Sequence, residues 1–209
     1  MSNKNRCTIL GALPVPLYFK NKILHDYIIC ADGGIDNAKL LGVKVQMALG
    51  DWDSVKSEFY TEDIEKIVTL PKEKDDTDMY FAARCAIELG FEEVQILGGI
   101  GGRLDHTFAN VQTLLFLEEN GVYAYMESEN FFCTVIQNNT RTFTNKDYTY
   151  ISILSLDEKS DGVNLRGVKY PLTNAVLYGN FPLGISNEFL DDIATVSVEN
   201  GTLVVMLVK

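Results

Sequence analysis

Three short acidic stretches and one glycine-rich stretch carry the residue types that could do chemistry in this chain. Asp32 sits in Ala31-Asp32-Gly33-Gly34, and Asp51 and Asp53 flank Trp52 in Gly50-Asp51-Trp52-Asp53-Ser54. Asp75, Asp76 and Asp78 fall together in Lys74-Asp75-Asp76-Thr77-Asp78. Each stretch follows a short apolar run that predicts a strand, over residues 27–30, 45–49 and 67–70. Short-armed carboxylates at the ends of parallel strands converge on the edge where open α/β sheets bind ligands. Collected there they repel one another unless a cation sits among them, and hard oxygen donors suit Mg²⁺. The fourth stretch, Gly98-Gly99-Ile100-Gly101-Gly102-Arg103-Leu104-Asp105-His106, adds backbone amides and an arginine suited to anions. The combination reads as a metal-assisted phosphate site.

Each motif also admits a plainer reading. Asp32 before two glycines could serve only a turn. Asp51 and Asp53, as alternate residues of an extended segment, would put both carboxylates on one side; the alternative is an Asx turn with Ser54 capping the next element. Three aspartates at a helix start exceed what capping and the helix dipole need. That excess leaves Asp75 and Asp78 as candidate ligands and Thr77 as the cap. The glycine run lacks GxGxxG, because position 104 is leucine, and lacks the Gly-Lys-Ser/Thr of a P-loop. Arg103 either binds phosphate or pairs with Asp105, and His106 either shuttles a proton or caps. Trp52 is core or pocket wall. Tyr170 and Ser186-Asn187-Glu188, taken alone, are a loop aromatic and a turn.

The elements that must position these residues follow from pattern. Apolar runs at 7–10, 27–31, 45–49, 67–70, 94–97 and 122–126 predict strands. Helical spacing covers 35–41, closed by Gly42, then 77–89, closed by Gly90, and a stretch from Leu104 to Gly121. Shorter helices are predicted over 17–25 and 57–66. Beyond about Ser128 the alternation stops, and runs at 131–137, 149–156, 162–165, 195–199 and 202–208 predict strands without helices. Asn200-Gly201 reads as a hairpin turn between the last two. The fold class expected is therefore a mostly parallel, Rossmann-like α/β domain over 1–128, followed by an antiparallel β-sandwich domain over 129–209.

Composition narrows the function. A chain of 209 residues buries roughly 70% of its unfolded surface and needs no staples. The formal charge of -11 argues against nucleic acid or an anionic membrane as partner. Cys7, Cys30, Cys85 and Cys133 are scattered, without the spacing of a zinc site or a disulfide framework. The polar start at Met1, the lack of a signal segment and the lack of an 18-residue apolar run give a cytoplasmic expectation.

Taken together and in this order, ADGG, GDWDS, KDDTD, GGIGGRLDH and GISNEF resemble the thiamine pyrophosphokinase (thiamine diphosphokinase) family over nearly the whole chain. Trp52 departs from the apolar residue, often Phe, that relatives carry there, and Tyr170 stands where some have tryptophan. The resemblance implies transfer of the pyrophosphoryl group of ATP to the hydroxyl of thiamine, giving thiamine diphosphate and AMP. It implies a homodimer, with thiamine held at the subunit interface between the α/β domain of one subunit and the β domain of the other. It assigns Mg²⁺ to Asp51, Asp53 and Asp78 with Asp32, and either ordering of that cluster or proton abstraction to Asp75. Nucleotide binding falls to the segment holding Gly33 and Gly34, to Gly99, Gly101, Gly102 and Arg103, with Asp105 and His106 beside them. Ser186 and Asn187 would face the thiamine pyrimidine, with Tyr170 packed on a ring. Three rivals stand beside this reading: a kinase or pyrophosphokinase of another small alcohol, a non-catalytic nucleotide- or thiamine-binding protein, and, disfavoured by the missing fingerprint, a Rossmann dehydrogenase.

Overall fold

The computed structural model describes residues 5–23, 27–52, 64–71, 73 and 75–209. Asp53 and residues 57–63 of the helix expected over 57–66 lie outside them. The chain forms two compact units, Met1–Glu129 and Asn130–Lys209. Among the described residues no helix is long and apolar enough to cross a membrane.

In the first unit, strands β1 (Arg6–Leu10), β2 (Ile28–Ala31), β3 (Met47–Gly50), β4 (Lys66–Thr69), β5 (Glu93–Leu97) and β6 (Tyr123–Glu127) alternate with helices α1 (Gly34–Leu41), α2 (Asp78–Glu88) and α3 (Leu104–Glu119). All strand pairings are parallel, in the order β6-β5-β1-β2-β3-β4. β2, β3 and β5 are buried along their whole length, which is why they read as continuous apolar runs rather than alternating ones. The chain leaves β1 toward β2 and leaves β5 toward β6, in opposite directions along the sheet. The two strands are neighbours, so a crevice opens beyond their carboxyl ends, the switch point where such sheets bind ligands.

Local signals set the helix ends. Thr77 caps α2, its Oγ1 accepting from Tyr80 N at 3.1 Å. Gly42 ends α1 in the left-handed region at φ 61°. Of residues 17–25, expected as a helix, Leu17–Lys22 form a 3-10 segment that ends where Ile23 turns extended, and 24–25 lie outside the described residues. Pro14 and Pro16 in its approach bias the preceding residues away from helical backbone.

The second unit is an antiparallel sandwich. One sheet runs in the order β12-β9-β14-β7, made of β7 (Phe131–Gln137), β9 (Tyr150–Ser155), β12 (Gly184–Glu188) and β14 (Thr202–Val208). The other runs β11-β10-β13-β8, made of β8 (Thr140–Thr144), β10 (Lys159–Arg166), β11 (Leu172–Tyr178) and β13 (Ile193–Ser197). Ile136, Ile153, Leu203 and Val205 from the first face Val163, Leu165, Val196 and Leu177 from the second in one buried core. The Asn200-Gly201 pair is not a hairpin, because β13 and β14 belong to different sheets. It turns the corner between them instead. Asn138 Oδ1 accepts from Gly201 N at 2.8 Å, and Asp161 N donates to Asn200 O at 2.8 Å. A short turn signal fixes a reversal and leaves the partner strand to be chosen by the core.

Three strands went unforeseen. β8 turns only Phe143 fully inward, and β11 and β12 are irregular, with Asn174 at φ 49° and Ser186 at φ 56°. Gly34 shows how tightly the first unit is drawn together at its ligand edge: a Cβ there would sit 1.9 Å from Leu10 O. Gly34→Ala is expected to destabilise the protein by about 1–3 kcal/mol, the range of overpacked cores. A urea-denaturation midpoint unchanged from that of the parent would contradict this packing.

Candidate active site

Beyond the ends of β1 and β5, two loops cross at van der Waals limits. Gly11 N donates to Leu97 O at 2.8 Å and Leu13 N to Gly98 O at 3.2 Å. A Cβ on Gly98, at φ 73°, would lie 2.7 Å from both Gly11 O and Leu13 O. Only glycine allows this approach, and it forms the floor of a cleft of about 510 Å³. Residues 11–13, Ala31 and Asp32, the start of α2 with the turn before it, and Gly98, Gly99, Gly101 and Arg103 of the glycine loop line the cleft, with His106 and Asn110.

The acidic stretches reach this cleft unequally. Asp32 follows β2 in the left-handed region at φ 47°, and its N–H donates to Leu49 O at 2.7 Å. Gly50 makes room for it, since a Cβ there would meet Asp32 Cα at 2.9 Å. Asp51 follows directly, so the loops after β2 and β3 touch. Trp52 itself is left-handed at φ 67° rather than extended, and Asp53, the other half of the alternation argument, lies outside the described residues. The Trp52 indole packs on the apolar cluster of α1 and its N–H donates to Thr69 Oγ1 at 3.3 Å. On the α2 side, Asp76 and Asp78 line the cleft, whereas Asp75 is exposed and does not. Asp76 Oδ2 accepts from Arg84 Nη1 at 3.1 Å.

Asp32 meets the requirement for a cation ligand in one respect: its Oδ1 is buried and has no hydrogen-bond partner among the described residues. Among those residues no three acidic, histidine or cysteine side chains form a ready metal cage. Mg²⁺ does not call for one, because it is held by one or two carboxylates together with substrate phosphates and water.

The glycine loop departs from the expected roles in detail. Gly99, Gly101, Arg103 and His106 line the cleft, but Gly33, Gly34, Gly102 and Asp105 do not. The amide of Gly101 is already engaged, donating to Thr107 Oγ1 at 3.2 Å. Arg103 takes the pairing alternative, with Nε 3.2 Å and Nη2 2.5 Å from the two carboxylate oxygens of Asp105. This fork lowers the Asp105 carboxyl below its ordinary value and raises Arg103 further. Both side chains stay largely in solvent, so the pair adds little stability. Asn37 and Asn110 escaped sequence reasoning. Each is buried and bonds to a cleft loop, Asn110 Nδ2 donating to Gly99 O at 2.7 Å. The sequence carried no signal for either, because their role lies in the backbone groups they bond to.

In the second unit, Asn187 is buried and clamps a loop. Its Oδ1 accepts from Tyr170 N at 3.0 Å and its Nδ2 donates to Tyr170 O at 2.7 Å. That use of the amide suits holding Tyr170 rather than facing a ligand. The Tyr170 ring is 61% exposed, with Lys169 Nζ 5.6 Å from its centroid and paired to Glu188 Oε1 at 2.9 Å. Ser186 is exposed, and its N–H donates to Ser152 Oγ at 2.9 Å.

Comparison with known proteins follows the same division. Residues 20–126 match the thiamin pyrophosphokinase catalytic domain, and residues 138–203 match the thiamin pyrophosphokinase vitamin B1 binding domain. A thiamine pyrophosphokinase of Bacillus subtilis (strain 168) is 29% identical over 187 residues, covering 87% of each chain. The crystal structure of thiamine pyrophosphokinase from Bacillus subtilis superposes with a TM-score of 0.88 at 25% identity, covering 98% of this chain and 99% of that one. The crystal structure of thiamin pyrophosphokinase from Geobacillus thermodenitrificans gives 0.86 at 28% identity, covering 98% and 97%. With both of its units matched in order, this chain belongs to the thiamin pyrophosphokinase family.

Proposed function

We propose that this family member carries out its ATP:thiamine diphosphotransfer in the cleft beyond β1, β2 and β5, with the nucleotide's phosphates over the crossing glycine loops. The observation that carries the placement is the buried, donor-less Oδ1 of Asp32 on the cleft wall. Asp32 and Asp78, with Asp51 beside Asp32, would hold Mg²⁺; Asp53 belongs to that set by its motif. The ion, when bound, neutralises charge on the phosphate oxygens. The thiamine hydroxyl oxygen forms a bond to the β-phosphorus as the bond from that phosphorus to the AMP oxygen breaks. The hydroxyl proton passes to a carboxylate of the turn that holds Asp75, Asp76 and Asp78. Arg103 exchanges Asp105 for phosphate oxygens, which its guanidinium binds in the same forked geometry.

The second unit supplies the vitamin's contacts on this reading: the exposed Tyr170 ring, set by Asn187, and Ser186. A homodimer that joins this surface to the partner's cleft accounts for the exposed Phe181, Leu183, Leu190 and Ile193. The enzyme works in the cytoplasm.

Incubation with Mg²⁺, ATP and thiamine is expected to give AMP and thiamine diphosphate in equal amounts. ADP with thiamine monophosphate would replace the reading by a simple kinase. Asp32→Asn should lower turnover at least about 100-fold, the scale on which one charge-stabilising group acts, with the fold intact by circular dichroism. Near-parental turnover would remove Asp32 from the site.

The Arg103–Asp105 fork gives a pH test. Asp105 should titrate below its ordinary value of 3.8 in a carbon-detected NMR titration and return toward it in Arg103→Met. A depressed carboxyl favours the folded state above its unfolded value and loses that effect as pH falls through the folded one. Because the pair is exposed, thermal stability at neutral pH should match the parent. An Asp105 midpoint unmoved by Arg103→Met would mean the fork does not persist in solution.

A further inference from the structure

The loop after β1 lines the cleft although nothing in its own sequence advertises a ligand. Its backbone N–H groups are satisfied from within the protein, with one exception. Gly11 N and Leu13 N donate to the ends of β5, Val15 N donates to Asn37 Oδ1 at 3.2 Å, and Pro14 has no N–H. The carbonyls of Gly11 and Leu13 are both taken by Asn37 Nδ2, at 2.7 and 2.8 Å. The Asn37 amide therefore uses two donors and one acceptor, and the reversed amide would place its oxygen against two carbonyls. Asn37 itself is 6% exposed, on the first turn and a half of α1. The exception is Ala12, an exposed residue on the cleft wall whose N–H meets no acceptor among the described residues.

We propose that Asn37 is a positioning residue for the nucleotide. By tying back the carbonyls of Gly11 and Leu13 it removes two lone-pair-bearing groups that would repel a phosphate, and it leaves the Ala12 N–H as the donor the loop offers to one. The inference rests on the cleft being the nucleotide site. A residue that only stabilised the fold would affect both substrates alike, whereas this geometry concerns the nucleotide.

Asn37→Asp keeps the shape and replaces the two donors by an acceptor. In the full-length enzyme it should raise the KM for ATP about tenfold or more, with the KM for thiamine within about twofold of the parent's. The same loss should appear in calorimetric binding of Mg²⁺ with α,β-methylene-ATP, whose carbon link replaces the bond that must break. Should Asn37→Asp fail to fold, Ala12→Asp decides, since it places a carboxylate on the cleft wall at an exposed position. It too should weaken the nucleotide analogue tenfold or more and spare thiamine. A folded variant that binds the analogue as the parent does, or weakens both substrates equally, overturns the proposal. If the parent binds the analogue but makes no thiamine diphosphate, the diphosphotransfer reading fails while this one stands.

Discussion

Burying one oxygen of a carboxyl group without a donor costs about 1–3 kcal/mol or more, and Asp32 bears that cost at the end of β2. Its backbone adds to it, because a non-glycine residue at φ 47° occupies a sparsely populated region that aspartate tolerates better than most. Neither feature is an accident of a loose loop. The Asp32 N–H is fixed to Leu49 O, and Gly50 leaves room for its Cα where a side chain would not. The neighbouring strands thus hold an unfavourable group in place, the kind of local cost that clusters at functional sites.

The same constraint of close backbone approach runs along the ligand edge of the first unit. Leu10 O leaves no space for a Cβ at Gly34, and Gly11 and Gly98 each exclude a side chain on the other. Glycines here act less as flexible hinges than as missing volume. They let α1 start directly against the end of β1, and they let the loops after β1 and β5 share hydrogen bonds across the switch point. Two buried asparagines, Asn37 and Asn110, then take up the carbonyls that this crowding would otherwise leave unsatisfied. The cleft is consequently a largely backbone surface, with the carbonyls of Gly11, Leu13 and Gly99 tied back and Asp32, Asp76 and Asp78 among its lining side chains.

Much of this architecture could be read from residues alone. Buried parallel strands announce themselves as apolar runs, Thr77 and Gly42 mark helix ends by local chemistry, and five ordered motifs carried the family. What escaped reading was set by tertiary context. Asn200-Gly201 specifies a tight reversal, but the core decides that the chain then enters the other sheet. Trp52 sits in a run that reads as extended, yet its backbone is left-handed at φ 67°. β11 and β12 carry irregular backbone at Asn174 and Ser186 that blurs a period of two. Arg103 pairs with Asp105 through proximity along the chain, and the Asn187 amide clamps Tyr170, a contact made across 17 residues that spacing does not announce. Asn37 and Thr107 matter through what they bond to, a property that composition and spacing do not encode.

The account turns on whether the unsatisfied oxygen of Asp32 meets a divalent ion. The direct measurement is an anomalous difference map from a crystal grown with Mn²⁺ and α,β-methylene-ATP. A peak within about 2.5 Å of Asp32 Oδ1, bridging to the nucleotide's phosphates, is the result this account predicts. A metal bound at those phosphates but remote from Asp32, with an ordinary donor completing Oδ1, would contradict it.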